Sequence, residues 1–226
     1  MQRIVLITII MLWGQASFSQ HAEERGKVYL GIRAGYTRSS LFGKDLGRLS
    51  DGGAASSLGG LFAEIVANTR LSKHFGLTSS ISVGQSGARL QILDSSVNQP
   101  YRSNFKSTYL TLQPFSPTLY LKGFRLYAGP YLSCLLNASI ERRAADGSIY
   151  KDKSIFGTPL LPGGYRQKID AGLLIGLDYK CSKAISVGIK YKRGAISVME
   201  DSRVQSQWKI YNQELSISIG YNLTRK

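Results

Sequence analysis

Hydrophobic and polar residues alternate with a period of two along most of the chain. Between positions 27 and 37, every second residue is apolar: Val28, Leu30, Ile32, Ala34 and Tyr36. The residues between them include Lys27, Arg33 and Thr37. This alternation is typical of a β-strand, in which successive side chains point to opposite faces. A helix would spread the same residues around its circumference.

Seven further segments show this pattern, although some of them are irregular. They are 60–69, 77–92, 105–121, 124–138, 169–179, 185–192 and 214–223. In the run from 124, the apolar side extends through Leu136 to Ala138. In the second of these segments the parity changes, so that Ala88, Leu90 and Ile92 continue the apolar side, which predicts a β-bulge at Gln85–Gly87. Prolines also lie inside predicted strands, where each removes a ladder donor and predicts a local bulge: Pro114, Pro117 and Pro130.

The lengths of the strands and of their connections predict the fold. A tilted membrane strand needs about 9–11 residues, and bacterial membrane barrels have an even number of strands. Long polar connections (38–57, 93–103, 142–164 and 195–211) alternate with tight ones (72–74, 122–123 and 181–183). The sequence therefore predicts an all-β fold, an eight-stranded antiparallel up-and-down transmembrane β-barrel, with both termini in the periplasm.

The N-terminus has the features of an export signal. One basic residue, Arg3, precedes the apolar block Ile4–Trp13, and Ser17 and Ser19 satisfy the small–x–small rule for signal peptidase. We expect residues 1–19 to be a signal peptide, with cleavage before Gln20, and residues 20–226 to be the barrel domain.

Composition and charge limit the remaining classes. With two cysteines and 43% hydrophobic residues, the chain is neither a disulfide-stapled miniprotein nor disordered. Cys134 is expected to face lipid and Cys181 to lie in a turn, so no disulfide is predicted. The net charge of +15 suits nucleic acid, but export argues against that partner. Basic residues of the first and third long connections are expected either to meet anionic lipopolysaccharide or to be merely solvated: Arg38, Lys44, Arg48, Arg142, Arg143, Lys151 and Lys153.

Short motifs resemble a known family along nearly the whole mature chain. They are Gly60–Glu64 (GLFAE), Leu71–Phe75 (LSKHF), Gly84–Ala88 (GQSGA), Tyr127–Leu132 (YAGPYL), 170–173 (DAGL), Gly176–Tyr179 (GLDY) and Ile189–Tyr191 (IKY). These motifs resemble PorT-like outer-membrane β-barrel proteins of Bacteroidetes. Tyr109–Pro114 keeps the outline of a family stretch but lacks its acid at Thr111. The resemblance implies an eight-stranded barrel in the outer membrane. Some relatives are associated with protein secretion and gliding.

The polar side of the predicted barrel carries charges that must be paired if they are enclosed. We expect a luminal polar network with a structural role, made of Arg33, Glu64, Arg125, Asp170, Asp178, Lys190 and Glu214. Eight strands leave room inside only for side chains or one small ligand. A packed network that plugs the barrel is the favoured interpretation, and a solvated ion pathway is the alternative.

No catalytic or metal-binding constellation is predicted, and no cofactor is expected. His21 lies in the mature N-terminal tail and His74 in a tight turn, and Asp170 and Asp178 would be about 26 Å apart along one strand. The sequence favours a non-enzymatic outer-membrane barrel whose loops or periplasmic rim engage a partner in secretion or envelope assembly. A narrow pore or small-ligand carrier is the alternative. A secreted lipocalin-type barrel would instead have an apolar interior and a polar exterior.

Overall fold

The chain forms an antiparallel β-structure in which nearly all described residues belong to strands. The computed structural model describes residues 27–48, 55–94, 99–143, 147–152, 168–182, 184–198 and 208–224. The strands are β1 (Val28–Phe42), β2 (Ala55–Arg70), β3 (Phe75–Asp94), β4 (Gln99–Leu121), β5 (Phe124–Arg143), β6 (Ile149–Asp152), β7 (Ile169–Lys180), β8 (Ile185–Gly194) and β9 (Tyr211–Asn222). A single 3₁₀ turn among these residues spans Leu46–Arg48. The predicted signal peptide, residues 1–19, lies outside the described residues and stays a prediction.

Pairing between the first and last strands closes the sheet into a barrel. β1 pairs with β9 from Gly31↔Asn222 to Phe42↔Tyr211, and β4 pairs with β5 on the far side. Eight strands complete the ring, while the short β6 pairs with β5 outside it. The prediction of an eight-stranded antiparallel barrel is confirmed. Within the described ranges, no helix has the length and apolar character needed to cross a membrane.

The two faces of the barrel wall differ in polarity as predicted. Large apolar side chains are exposed on the outside, and Ile219 on β9 is 67% exposed. Arg33, Glu64 and Asp178 are buried inside. A lipocalin-type arrangement, with a polar exterior around an apolar interior, is therefore wrong for this part of the wall. We call the band of exposed apolar side chains around the outer surface the apolar belt; it includes Ile32, Ile65, Val83, Leu110, Leu132, Ile175, Ile189 and Ile219.

The two ends of the barrel are also different. One end, here called the turn end, carries the short connections at 71–74, 122–123 and 181–184. The opposite end, the loop end, carries the longer connections, and the first two of them are shorter than predicted because the strands continue into them. β1 runs to Phe42, and β3 and β4 are separated only by residues 95–98. These strand extensions project beyond the apolar belt.

The predicted bulge within β3 is wrong. β3 pairs with β4 in unbroken register from Val83↔Leu110 to Leu90↔Ser103, so its parity does not change. The irregularity lies on the neighbouring strand: β2 places residues 58–61 opposite residues 85–87 of β3. Ala88 and Leu90 consequently point into the barrel and are 0% exposed, instead of continuing the lipid-facing side. The side chain of Ile92 lies outside the described residues.

A bulge in β5 also reverses one prediction. Thr108 pairs with Asn137 and Tyr109 with Leu135, which leaves Leu136 as the extra residue. After this bulge, the even-numbered residues of β5 point inward instead of the odd-numbered ones. Ala138 is therefore buried inside the barrel and not on the lipid-facing side.

The prolines lie where the strand pairing is interrupted. The β4–β5 register shifts between Leu112 and Thr118, a stretch that contains Pro114 and Pro117. Pro130 of β5 pairs regularly with Leu173 of β7, but it has no partner in the interrupted β4 ladder on its other side. A missing backbone donor is tolerated at such places because the ladder is already broken there.

Candidate functional site

The lumen near the turn end is filled by a network of buried charges centred on Arg33. The Nη2 atom of Arg33 lies 2.8 Å from Oδ2 of Asp178, and its Nη1 atom lies 3.4 Å from Oε2 of Glu64. Nη1 also donates a hydrogen bond to the Tyr127 hydroxyl at 3.1 Å. Arg33 and Glu64 are direct neighbours across β1 and β2, whereas Asp178 reaches Arg33 from β7 across the lumen.

Each carboxylate of this network binds a second cation. Lys190 lies 2.7 Å from Oε1 of Glu64, and the Ser80 hydroxyl donates to the same oxygen at 2.6 Å. Arg125 donates through Nε to Asp178 at 2.9 Å. Three cations, Arg33, Arg125 and Lys190, thus share two carboxylates, which leaves one positive charge. We call these residues the ionic plug.

Glycines make room for the ionic plug. A Cβ atom at Gly188 would lie 2.2 Å from Oδ1 of Asp178, and one at Gly176 would lie 2.4 Å from the hydroxyl oxygen of Tyr127. Both glycines are direct cross-strand neighbours of these side chains, so a larger residue at either position would have to displace Asp178 or Tyr127.

Asp170 and Glu214 lie in a separate cluster closer to the loop end. The Glu214 carboxylate pairs with Lys192 at 2.9 Å. The Oδ2 atom of Asp170 accepts hydrogen bonds from Tyr131 at 3.2 Å and from the Asn212 amide at 3.1 Å. Its Oδ1 atom is buried and has no partner among the described residues.

Two small cavities border this cluster. One is lined by Asp170, Lys192 and Glu214 among others, and the second also reaches Lys190. Each is large enough for roughly one water molecule. Polar walls of this kind suit a bound water, which would satisfy the remaining oxygen of Asp170.

An apolar cluster occupies the lumen above these charges. It joins side chains of several strands to residues of the loop-end connections: Leu41, Leu46, Ala88, Leu90, Phe105, Tyr109, Leu135, Ala138, Ile140, Val198, Trp208 and Ile210. From the turn end to the loop end, the lumen therefore changes from an ionic plug to a polar cluster and then to this apolar cap.

The predicted site residues thus fall into two groups, not one network. Five belong to the ionic plug, and Asp170 and Glu214 lie apart from it. Lys192 was missed, although it has the same parity as Lys190 and could have been found from that alone. Nothing in the sequence indicated that Asn212 would bind Asp170. The last strand was predicted to begin at position 214, whereas β9 begins at Tyr211 and so includes Asn212.

The histidines, cysteines and acidic residues are also candidate metal ligands. No group of three or more His, Cys, Asp and Glu residues there could hold a metal ion. His74 is exposed in a tight turn at the turn end. Cys134 lies on the exposed outer face of β5, and Cys181 follows β7, and both thiols are free.

Comparisons with known proteins give one family match. The family described as outer membrane protein β-barrel domain matches residues 18–200. No curated protein sequence matches the chain.

Several solved structures have a similar shape. The attachment invasion locus protein Ail of Yersinia pestis is 12% identical, with a TM-score of 0.42 over 88% of this chain and 99% of Ail. Neisserial surface protein A is 12% identical, with a TM-score of 0.44 over 86% of this chain and 97% of that protein. The outer membrane protein OprG of Pseudomonas aeruginosa is 11% identical, with a TM-score of 0.37 over 89% of this chain and 98% of OprG. At these TM-scores, likeness of shape says nothing about what this protein does.

Proposed function

Because the chain belongs to the outer membrane protein β-barrel domain family, we propose that it is a sealed, non-enzymatic barrel that acts through the surfaces at its ends. Its loop end faces the exterior, and both termini lie in the periplasm. A protein partner of the cell envelope binds at one of these ends. The process served is protein secretion or envelope assembly, as the resemblance to PorT-like proteins implies.

The single observation that carries this proposal is the ionic plug. Its contacts cross the lumen in two directions: Arg33 of β1 meets Asp178 of β7, and Lys190 of β8 meets Glu64 of β2. Partners on distant strands hold each of these charges in place. A barrel with paired charges across its axis and an apolar cap above them is suited to a scaffold and poorly suited to conduction.

Planar-bilayer recording tests the sealed lumen. The folded protein is expected to give no unitary current steps. The paired variant R33A/E64A, which removes two plug side chains, is expected to leak. Stable current steps from the wild-type protein that persist after the protein is refolded would contradict the sealed lumen. They would favour the narrow pore or small-ligand carrier.

The orientation is supported by the connections, since bacterial barrels place short turns in the periplasm and longer loops outside. Cysteine labelling tests it. In the C134S/C181S background, a membrane-impermeant maleimide should label Y150C in intact cells and should label K122C only after permeabilisation. Tyr150 is 63% exposed at the loop end, and Lys122 is exposed at the turn end. The reverse pattern would overturn the orientation.

The role in secretion or assembly is tested in the host bacterium. Deletion of the gene is expected to reduce secreted proteins or to alter the composition of the outer membrane. Wild-type protein should restore the phenotype, and a variant with intact folding but a truncated 144–148 connection should report whether the loop end is required. An unchanged secreted fraction and an unchanged envelope would reject this role.

A further inference from the structure

The loop-end extensions of β3, β4 and β5, together with β6, form a sheet that projects beyond the apolar belt. Its strands are in register, so its outward side chains form rows. One row runs through Arg89, Asn104, Glu141 and Lys151, and the next runs through Gln91, Arg102, Arg143 and Ile149. The opposite side of this sheet covers the apolar cap.

The outward side is strongly basic. Five cations lie on it, namely Arg89, Arg102, Lys106, Arg143 and Lys151, and we call them the basic face. Glu141 is the sole carboxylate among the described side chains of these rows, and it pairs with Lys106 at 3.6 Å. Five positive charges against one negative charge leave a net charge of +4.

The register places like charges directly opposite each other. Arg102 and Arg143 are cross-strand partners, and both are exposed. Such a pair destabilises a sheet, because the two guanidinium groups repel each other at short range. Neither forms an ion pair with a described residue, and the guanidinium of Arg89 uses only its Nε atom, which donates to Asn104 at 3.0 Å. An anion between these arginines would remove the repulsion.

The position of the basic face identifies the anion. It continues the same side of the strands that carries the apolar belt below, where Val83, Leu110 and Leu132 are exposed. Lys106 precedes Leu110 on β4 by four residues and Arg102 precedes it by eight, in the direction of the loop end. With a rise of about 3.3 Å per residue and a tilt of about 45°, these side chains lie about 9 and 19 Å above Leu110. The headgroup region of an ordinary bilayer adds only about 5–8 Å on each side. Lys106 therefore lies near its outer edge and Arg102 beyond it, a range that needs a lipid with a large phosphorylated polar part.

We propose that the basic face binds the phosphate groups of lipopolysaccharide in the outer leaflet. Guanidinium groups bind phosphate through two parallel hydrogen bonds, and a pair of arginines facing each other can hold one phosphate between them. This proposal rests on the orientation given above, which places the loop end outside the cell.

Arg143 and Lys151 of this site are among the basic residues that the sequence pointed to, but its other members differ. Arg142 turns to the other side of the sheet, where its Nε atom is buried without a partner among the described residues. Lys153 and the side chain of Arg48 lie outside the described residues, and Arg38 is bound to Ser57 on the outer wall of β1 and β2. Arg89 and Arg102 join Arg143 and Lys151, because strand register sets Arg102 directly opposite Arg143 and Arg89 diagonally across from Arg102.

Binding of purified rough lipopolysaccharide to the folded full-length mature protein in detergent tests the proposal. The variant R89Q/R102Q/R143Q should bind at least tenfold more weakly than the wild type. The matched control K27Q/K73Q/K180Q loses the same charge from exposed positions at the turn end and should change affinity less than twofold. Chemically dephosphorylated lipopolysaccharide should bind weakly to the wild type and to both variants.

Two further binding experiments test whether the site recognises lipopolysaccharide or any phosphate-bearing or anionic ligand. Vesicles of phosphatidylglycerol and millimolar inorganic phosphate should not reproduce the difference between the two variants. Equal weakening in both variants, no effect of the arginine substitutions, or equal binding to phosphatidylglycerol would overturn the proposal and leave a solvated surface.

The stability of the variant without lipid gives an independent readout. Since R89Q/R102Q/R143Q removes repulsion, its unfolding midpoint in lipopolysaccharide-free detergent should equal or exceed that of the wild type. A lower midpoint would show that the arginines serve folding, which also contradicts the proposal. Failure of these binding measurements is distinguishable from a wrong orientation, because labelling of Y150C reports the orientation without lipopolysaccharide.

Discussion

Asp178 holds two guanidinium groups inside the barrel, one from β1 and one from β5. A charge enclosed in a wall that faces hydrocarbon is costly unless it is paired and hydrogen-bonded, and the plug satisfies this condition by sharing each carboxylate between two cations. Removing a shared carboxylate therefore does more harm than removing an end of the network. Arg33 and Arg125 would face each other with no negative charge between them.

Asp178→Asn is expected to lower the free energy of unfolding by about 3–5 kcal/mol, because it leaves buried cations without their carboxylate. Urea unfolding in lipid vesicles, followed by the fluorescence of Trp208, measures this change. Glu141→Gln is the matched control. Its partner Lys106 has a half-exposed side chain, so a change below about 1 kcal/mol is expected. Equal effects of the two substitutions would show that the plug is not a structural network.

At the scale of elements, the long strands β3, β4 and β5 pass through two environments. Beside the apolar belt, their outward side chains are apolar and their inward side chains are polar. Beyond the belt, Leu90 and Phe105 point inward, and Arg89 and Arg102 point outward. The parity of β3 and β4 stays regular through this change, whereas β5 switches parity at the Leu136 bulge. The polarity of the residues reverses because the surroundings of the wall change from hydrocarbon to water.

Leu90→Ala is expected to destabilise the loop end, since Leu90 is fully buried in the apolar cap. A loss of about 2–5 kcal/mol is typical for such a truncation in a packed core. Gln91→Ala, at the adjacent outward position, should change the free energy of unfolding by less than about 0.5 kcal/mol. Hydrogen exchange of β3 and β4 amides would locate the effect. Similar changes for both variants would place Leu90 on the outside of the barrel.

Ile219→Arg tests the lower part of the wall. Ile219 lies in the apolar belt, and an arginine near the middle of a bilayer destabilises a barrel by about 2–4 kcal/mol. Gln91→Arg introduces the same side chain on the outward face beyond the belt and should cost less than about 1 kcal/mol. Unfolding in vesicles measures both. If the two positions tolerate arginine equally well, the exposed apolar residues do not face lipid.

For the molecule as a whole, pairing of β1 with β9 closes the ring, so the sheet has no free edge within the apolar belt. All backbone donors and acceptors of the wall are then available for pairing within the chain, which hydrocarbon requires. The ionic plug and the apolar cap add contacts between opposite walls. A closed barrel of this kind resists detergent until it is heated.

The mature protein is therefore expected to remain in the membrane pellet after alkaline carbonate extraction. On gels it should migrate faster unboiled than boiled, because the folded barrel persists in detergent at room temperature. Asp178→Asn should lower the temperature at which the fast form disappears. A wild-type protein that carbonate extracts and that shows one mobility with and without boiling would contradict the membrane barrel.

Much of the architecture could be predicted from local pattern alone. In β1, β7, β8 and β9 the period of two gave the strands and their lipid-facing sides, since hydrocarbon tolerates few polar side chains. The pattern failed at Ala88, Leu90 and Ala138. Small or aliphatic residues suit lipid as well as a protein core, so their side of the wall depends on where the belt ends and where a bulge falls.

The alternation in the sequence by itself determined the eight strands of the ring, the antiparallel fold and the inward side of each charge of the ionic plug, but not the short β6. Only the tertiary structure decided which charges meet. Lys190 and Glu64 are 126 residues apart, and nothing local to either one names the other. Ring closure brings them together, and the register of neighbouring strands likewise sets Arg102 against Arg143. Which charges pair depends on distances across the lumen and between strands. The side of the wall on which a side chain lies depends only on its parity along one strand.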